Sequence, residues 1–195
     1  MSVRAPALDA VVETYVADVL DALEEAGVNV LAAYLVGSAA TGDFDRATSD
    51  LDVVAVIDRP LATEDRERLT GAIGRLGCPA RALELVAYVR GNQPPDFDLN
   101  VNADSRGARE VEAPTHWFVI DAALAQERAL PFGGDEPWSA HFEPVAEEHL
   151  REALVQSIAW SEAQPVEDEF ARVNAIRARH YLETGEWLPK SEAAR

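Results

Sequence analysis

Apolar positions recur at helical spacing from residue 7 to 26, and the run closes on Gly27, a residue that readily supplies a left-handed helix cap. A nearly unbroken apolar stretch over 30–37 predicts a buried strand, and 51–57 predicts a second. The polar loop between them carries Gly42 and several aspartates, so the two strands read as a hairpin-like unit. The spacing then predicts a helix over 63–77 with Thr63 as its N-cap, followed by a third strand over 82–89. After a turn containing Pro94 and Pro95, the alternation in FDLNVNA predicts an edge strand.

From Pro114 onward the pattern changes to helical segments separated by a Pro- and Gly-rich break at 131–138. The chain therefore reads as α+β over residues 1–113, with a mixed sheet flanked by helices, and as a helical domain over residues 114–195. No internal repeat or low-complexity tract interrupts this division.

The chemistry is concentrated between the first two strands. Gly37-Ser38 is followed, after eleven residues, by Asp50-Leu51-Asp52 at the mouth of a strand. Side chains two apart in a strand share a face, so Asp50 and Asp52 converge while Leu51 turns to the core. Paired carboxylates are costly to ionise together unless a cation sits between them, and hard oxygen donors of this type suit Mg²⁺ bound jointly with phosphates. Gly37 gives a phosphate close access to the backbone, and Ser38 adds a hydroxyl and an N–H. A Gly-Ser pair alone is an ordinary turn and a DxD alone is a solvated strand end; their succession in this order is far more specific.

A third acid, Glu84, interrupts the otherwise apolar strand ALELVAYV. Alternation alone fits the solvent face of an edge strand. Its place on the strand that follows the DxD fits a general base or a third metal ligand. Elsewhere the bland readings hold: His116, His141, His149 and His180 share no metal-ligand spacing, and the four tryptophans read as core or domain contacts.

Composition narrows the setting. With 17 Lys+Arg against 35 Asp+Glu, a formal net charge of −18, the mean field repels nucleic acid and attracts cations, although acidic excess also serves simple solubility. The lone Cys78 excludes an internal disulfide and a cysteine-rich zinc cluster, and no apolar run reaches the roughly 18 residues of a membrane span. A monomer in the cytoplasm, without nucleic-acid or membrane partners, is the expectation.

GSAATGDFDRATSDLDVVAVI resembles the nucleotidyltransferase signature in which Gly-Ser precedes a DxD pair, and the chain from about 30 to 194 is similar to the aminoglycoside (streptomycin and spectinomycin) adenylyltransferases. RALELVAYV matches the strand bearing that family's catalytic glutamate, LPFGGDEPWSAHFEPV its inter-domain segment, and NAIRARHYLETGEWLPKSEAA its C-terminal lysine motif. The resemblance implies magnesium-dependent transfer of AMP from ATP to a hydroxyl of a cationic acceptor, and hence antibiotic resistance. Asp50 and Asp52 would bind the metal, and Glu84 would act as base or join them. Gly37, Ser38, Ser49, Arg177 and Lys190 would serve the nucleotide, and Glu167 or Asp168 the acceptor. One departure is NVNAD, which stands where streptomycin-modifying relatives carry an FGEW-like segment. The alternative reading is a nucleotidyltransferase-like regulatory or antitoxin-type module acting on a protein partner.

Overall fold

The computed structural model describes residues 9–195. Helix α1 (Ala10–Glu25) opens on Asp9, whose carboxylate accepts the Val11 N–H at 2.9 Å, a cap that contributes about 1 kcal/mol. Residues 7 and 8 of the expected helix lie outside the described residues. The apolar stripe of α1, Val12, Tyr15, Val16, Val19 and Leu23, is buried, its valines and leucine contributing roughly 1.5–3 kcal/mol each.

Strand β1 (Val30–Leu35) leads into a short helix α2 (Gly37–Thr41), then β2 (Asp50–Ile57), α3 (Thr63–Ile73), β3 (Ala82–Val89), β4 (Leu99–Asp104) and β5 (Gly107–Glu110). After α4 (Thr115–Arg128) come β6 (Leu130–Phe132), a 3-10 turn at Trp138–Ala140, and helices α5 (Glu147–Glu162), α6 (Glu169–Thr184) and α7 (Lys190–Ala193). The six strands form one mixed sheet in the order β5-β4-β3-β2-β1-β6. The β2–β3 pair is parallel, as the intervening α3 crossover allows, and the other four pairs are antiparallel.

One face of the sheet carries Leu51, Val53, Ala55, Ile57, Leu83, Leu85 and Ala87 into a core shared with α1, Leu69 and Ile73. On the opposite face Tyr34 and Tyr88 meet Trp138 and Phe142, with Trp138 and Phe142 stacked at 4.1 Å and Tyr34 donating its hydroxyl to the Pro137 carbonyl. Two compact units result. The first runs to Glu112 and takes in Leu124–Pro144; the second is Ala113–Ala123 with Val145–Arg195.

The fold class is α+β as the pattern indicates, with differences of detail. FDLNVNA is not an edge: β4 lies between β3 and β5, because the turn after Asp104 sends the chain back as a further strand. The break at 131–138 includes β6, and the loop after Gly37 includes α2. Thr63 is the first helical residue of α3, not its cap; the cap position is Ala62, which makes no side-chain cap bond. The entry to α3 is fixed from a distance, since Asp98 accepts the Leu61 N–H at 3.1 Å and pairs with Arg66 at 2.8 Å. No helix among the described residues is long and apolar enough to cross a membrane.

Candidate active site

The parallel register aligns Asp50 with Ala82 and Asp52 with Glu84. Because alternation puts Asp50 and Asp52 on one face, and directly paired residues of neighbouring strands share a face, three carboxylates project from the N-terminal ends of β2 and β3. Leu51 and Leu83, their neighbours in the chain, are fully buried on the other side and fix that orientation.

Gly37 approaches the same place from α2. Its φ is +58°, a left-handed conformation, and a Cβ built there would lie 2.9 Å from Cγ of Asp52 and overlap its Oδ2. Glycine at this position is therefore required twice, by backbone and by space. The backbone ties the corner further: Val36 N–H donates to the Asp52 carbonyl at 3.0 Å. Ser38 is half-buried beside Gly37. Ser49 is engaged within its loop, its hydroxyl accepting the Asp45 N–H at 3.1 Å and its own N–H donating to the Asp45 carbonyl at 2.7 Å.

The electrostatics differ among the three acids. Burial pushes the Glu84 carboxyl above the usual carboxylate range, and the charge of Asp50 pushes it the same way. Asp50 itself is paired by Arg81, whose Nε donates to Oδ1 at 2.9 Å while Nη2 donates to Oδ2. Across the β3–β4 ladder Glu84 faces Asn102, and the next residue on that face of β4, Asn100, is fully buried. Neither amide atom of Asn100, nor Oδ1 of Asn102, has a hydrogen-bond partner among the described residues. Among the described residues no group of three or more His, Cys, Asp or Glu side chains is drawn together as a ready metal cage.

Residues 16–79 match the family model of the nucleotidyltransferase domain. That likeness lies in the segment that carries β1, α2, β2 and α3. That match spans Gly37, Ser38, Ser49, Asp50 and Asp52 and stops short of Glu84, whose place beside Asp52 rests on the β2–β3 register. Among solved structures, spectinomycin adenyltransferase AAD(9) from Enterococcus faecialis, crystallised with ATP and spectinomycin, superposes with a TM-score of 0.74 at 18% identity, over 92% of this chain and 78% of that one. The chain thus shares the fold of that adenyltransferase and holds a segment similar to the nucleotidyltransferase domain. No curated protein matches the chain.

The remaining site residues expected from the sequence lie in the second unit. Arg177, on α6, donates from Nε to the Leu188 carbonyl at 3.0 Å; burial lowers the pKa of its guanidinium and Asp121 opposes that shift. It ties α6 to the approach of α7. Lys190, the first residue of α7, is exposed with its ammonium 6.0 Å from the Phe170 ring centroid. Asp168 is the N-cap of α6, accepting the Ala171 N–H at 3.0 Å, and Glu167 is exposed beside it. The sequence reading did not single out Arg81. Its only signal was a basic residue three positions before Glu84, where the register of a parallel pair sets it against Ser49 and Asp50.

Proposed function

We propose that the chain transfers AMP from ATP to a hydroxyl of a cationic, aminoglycoside-like small molecule, with Mg²⁺ as cofactor. The observation that carries this reading is the pairing of Asp52 with Glu84 across β2 and β3, with Asp50 on the same face and Gly37 closed against Asp52. Catalysis of phosphoryl transfer is mainly positioning and charge stabilisation, and this arrangement supplies both on rigid strands.

Asp50 and Asp52 fit a divalent cation, since both offer hard oxygen donors from one face of the sheet at the end of β2. A bound Mg²⁺ would neutralise the triphosphate and polarise the α-phosphorus. Glu84, its carboxylate more basic than an exposed one, takes the proton of the acceptor hydroxyl. The freed oxygen forms a bond to the α-phosphorus, and the bond to the leaving pyrophosphate breaks in line. Gly37 and Ser38 present backbone and hydroxyl to the phosphates, Ser49 adds a further contact from the loop, and Lys190 and Arg177 are assigned to the nucleotide. Glu167 and Asp168 are assigned to the ammonium groups of the acceptor, with Asp168 also holding its cap.

Support for a cationic acceptor comes from the net charge of −18, and for the adenylyl donor from the likeness in fold to an enzyme solved with ATP. Antibiotic resistance exercised in the cytoplasm follows as the biological setting of such a reaction. The test is pyrophosphate release from ATP and Mg²⁺ across a panel including spectinomycin, streptomycin and other aminoglycosides, followed by mass spectrometry of the acceptor. A mass increase of one adenylyl group on a panel member is the expected result. Pyrophosphate released only in the presence of host protein extract, with adenylylated protein as product, would replace this reading with a protein-directed one.

A further inference from the structure

Arg81 has no role in the chemistry above, yet it makes the most specific contact on the carboxylate face. Its guanidinium grips both oxygens of Asp50 in a fork, and its backbone N–H donates to the Ser49 carbonyl at 3.2 Å. One residue thus holds the Ser49–Asp50 corner by side chain and backbone together. The pair lies near the surface, with the Arg81 side chain 54% and the Asp50 side chain 32% exposed, so the contact can be shared or exchanged. The bond to Asp50 raises the pKa of the guanidinium, and the charges of Asp50 and Asp52 add to that; Arg81 therefore feels both acids of the DxD.

We propose that Arg81 is a built-in counter-charge that makes divalent-ion binding at Asp50 and Asp52 contingent on nucleotide. This rests on the metal reading above. An ionised carboxylate offers about four lone-pair sites, of which the fork takes one on each oxygen, so Asp50 keeps room for a metal ion. The ion and the guanidinium are then close neighbours of like charge. A unit cation ~6 Å from a divalent ion weakens it about tenfold even at the dielectric constant of water. An ion chelated by a triphosphate instead belongs to a complex of net negative charge, which the guanidinium attracts. The same residue therefore opposes the bare ion and favours the ion delivered with nucleotide.

Calorimetric titration separates the two effects, using MnCl₂ alone and then Mn²⁺ with α,β-methylene ATP, on the wild type, Arg81→Gln and Arg81→Lys. Arg81→Gln is expected to bind Mn²⁺ alone about tenfold tighter and Mn²⁺ with the nucleotide analogue several-fold weaker. Arg81→Lys keeps the charge and returns both affinities toward wild type. Far-UV circular dichroism confirms the fold of each variant. Unchanged or weaker binding of Mn²⁺ alone by Arg81→Gln overturns the proposal, as does tighter binding in both titrations, and so does a wild type that fails to bind Mn²⁺ even with the analogue. If the titrations behave as expected while no acceptor is adenylylated, the transfer reading fails and this inference stands.

Discussion

Gly37→Ala isolates the closest approach in the site. Two penalties act together. The first is backbone: at φ +58° an L-residue costs roughly 1–2 kcal/mol relative to glycine. The second is steric: the new methyl overlaps Oδ2 of Asp52, so the carboxylate must leave its rotamer, at a further cost of about 0.5–1.5 kcal/mol. The total, about 1.5–3.5 kcal/mol, leaves a marginal but folded protein. Gly185→Ala supplies the control, because Gly185 at φ +74° has the same backbone requirement, yet an added Cβ there meets nothing within 4 Å. Urea unfolding should therefore place Gly37→Ala below Gly185→Ala by roughly the rotamer term alone. Activity should separate them far more. A carboxylate displaced by about 1 Å loses on the order of 10²-fold in turnover, whereas Gly185→Ala should stay near wild type. Pyrophosphate release on the acceptor identified by the panel gives the comparison. Equal activity in the two variants would mean that the closeness of Gly37 to Asp52 has no catalytic meaning.

Three further outcomes follow. Glu84→Gln should keep nucleotide affinity while turnover falls roughly 10²- to 10⁴-fold; calorimetry that instead finds nucleotide binding lost would move Glu84 from base to metal ligand. Lys190→Ala should weaken ATP binding about ten- to hundredfold by calorimetry, since an ammonium on phosphate contributes far more than a solvated one; an unchanged dissociation constant assigns Lys190 to the surface. Asp98→Ala should cost about 2–3 kcal/mol in urea unfolding, because it leaves the Arg66 guanidinium and the Leu61 N–H without their shared acceptor; a loss under about 0.5 kcal/mol would show that this anchor of α3 is dispensable.

What the chain order reveals follows from the range of the forces involved. The stripe of α1 and the apolar runs of β2 and β3 are local patterns and could be read directly. So could the shared face of Asp50 and Asp52, which needs only the two-residue period of a strand. The union of Asp52 with Glu84 required a register between strands 32 positions apart, which no local pattern specifies. Arg81 escaped for the same reason: its partner is distant in sequence, and a lone basic residue before a strand looks like any solvated charge. Thr63 misled because a good capping residue stood one position too late, while Asp98, 37 residues from Leu61, set the helix entry. Leu130–Phe132 was read as a break because a three-residue strand containing Pro131 has no alternation to detect; its pairing with Ala33–Leu35 defines it.

That last pairing bears on how the chain meets water during synthesis. β1 pairs with β2 on one side within a few dozen residues, but its other side waits for Phe132, whose register partner is Ala33. At ribosomal speeds of about 5–20 residues per second, the intervening positions, just under a hundred, hold that flank of the nascent sheet open for roughly 5–20 s. Tyr34 waits about as long for Trp138, and Tyr88 about half as long for Phe142. A fragment released at residue 113 would make that delay permanent, leaving an apolar strand edge free to recruit another chain. A cut placed after Pro144 keeps β6 and the aromatic cover with the carboxylate-bearing sheet, and is the shorter piece worth expressing alone.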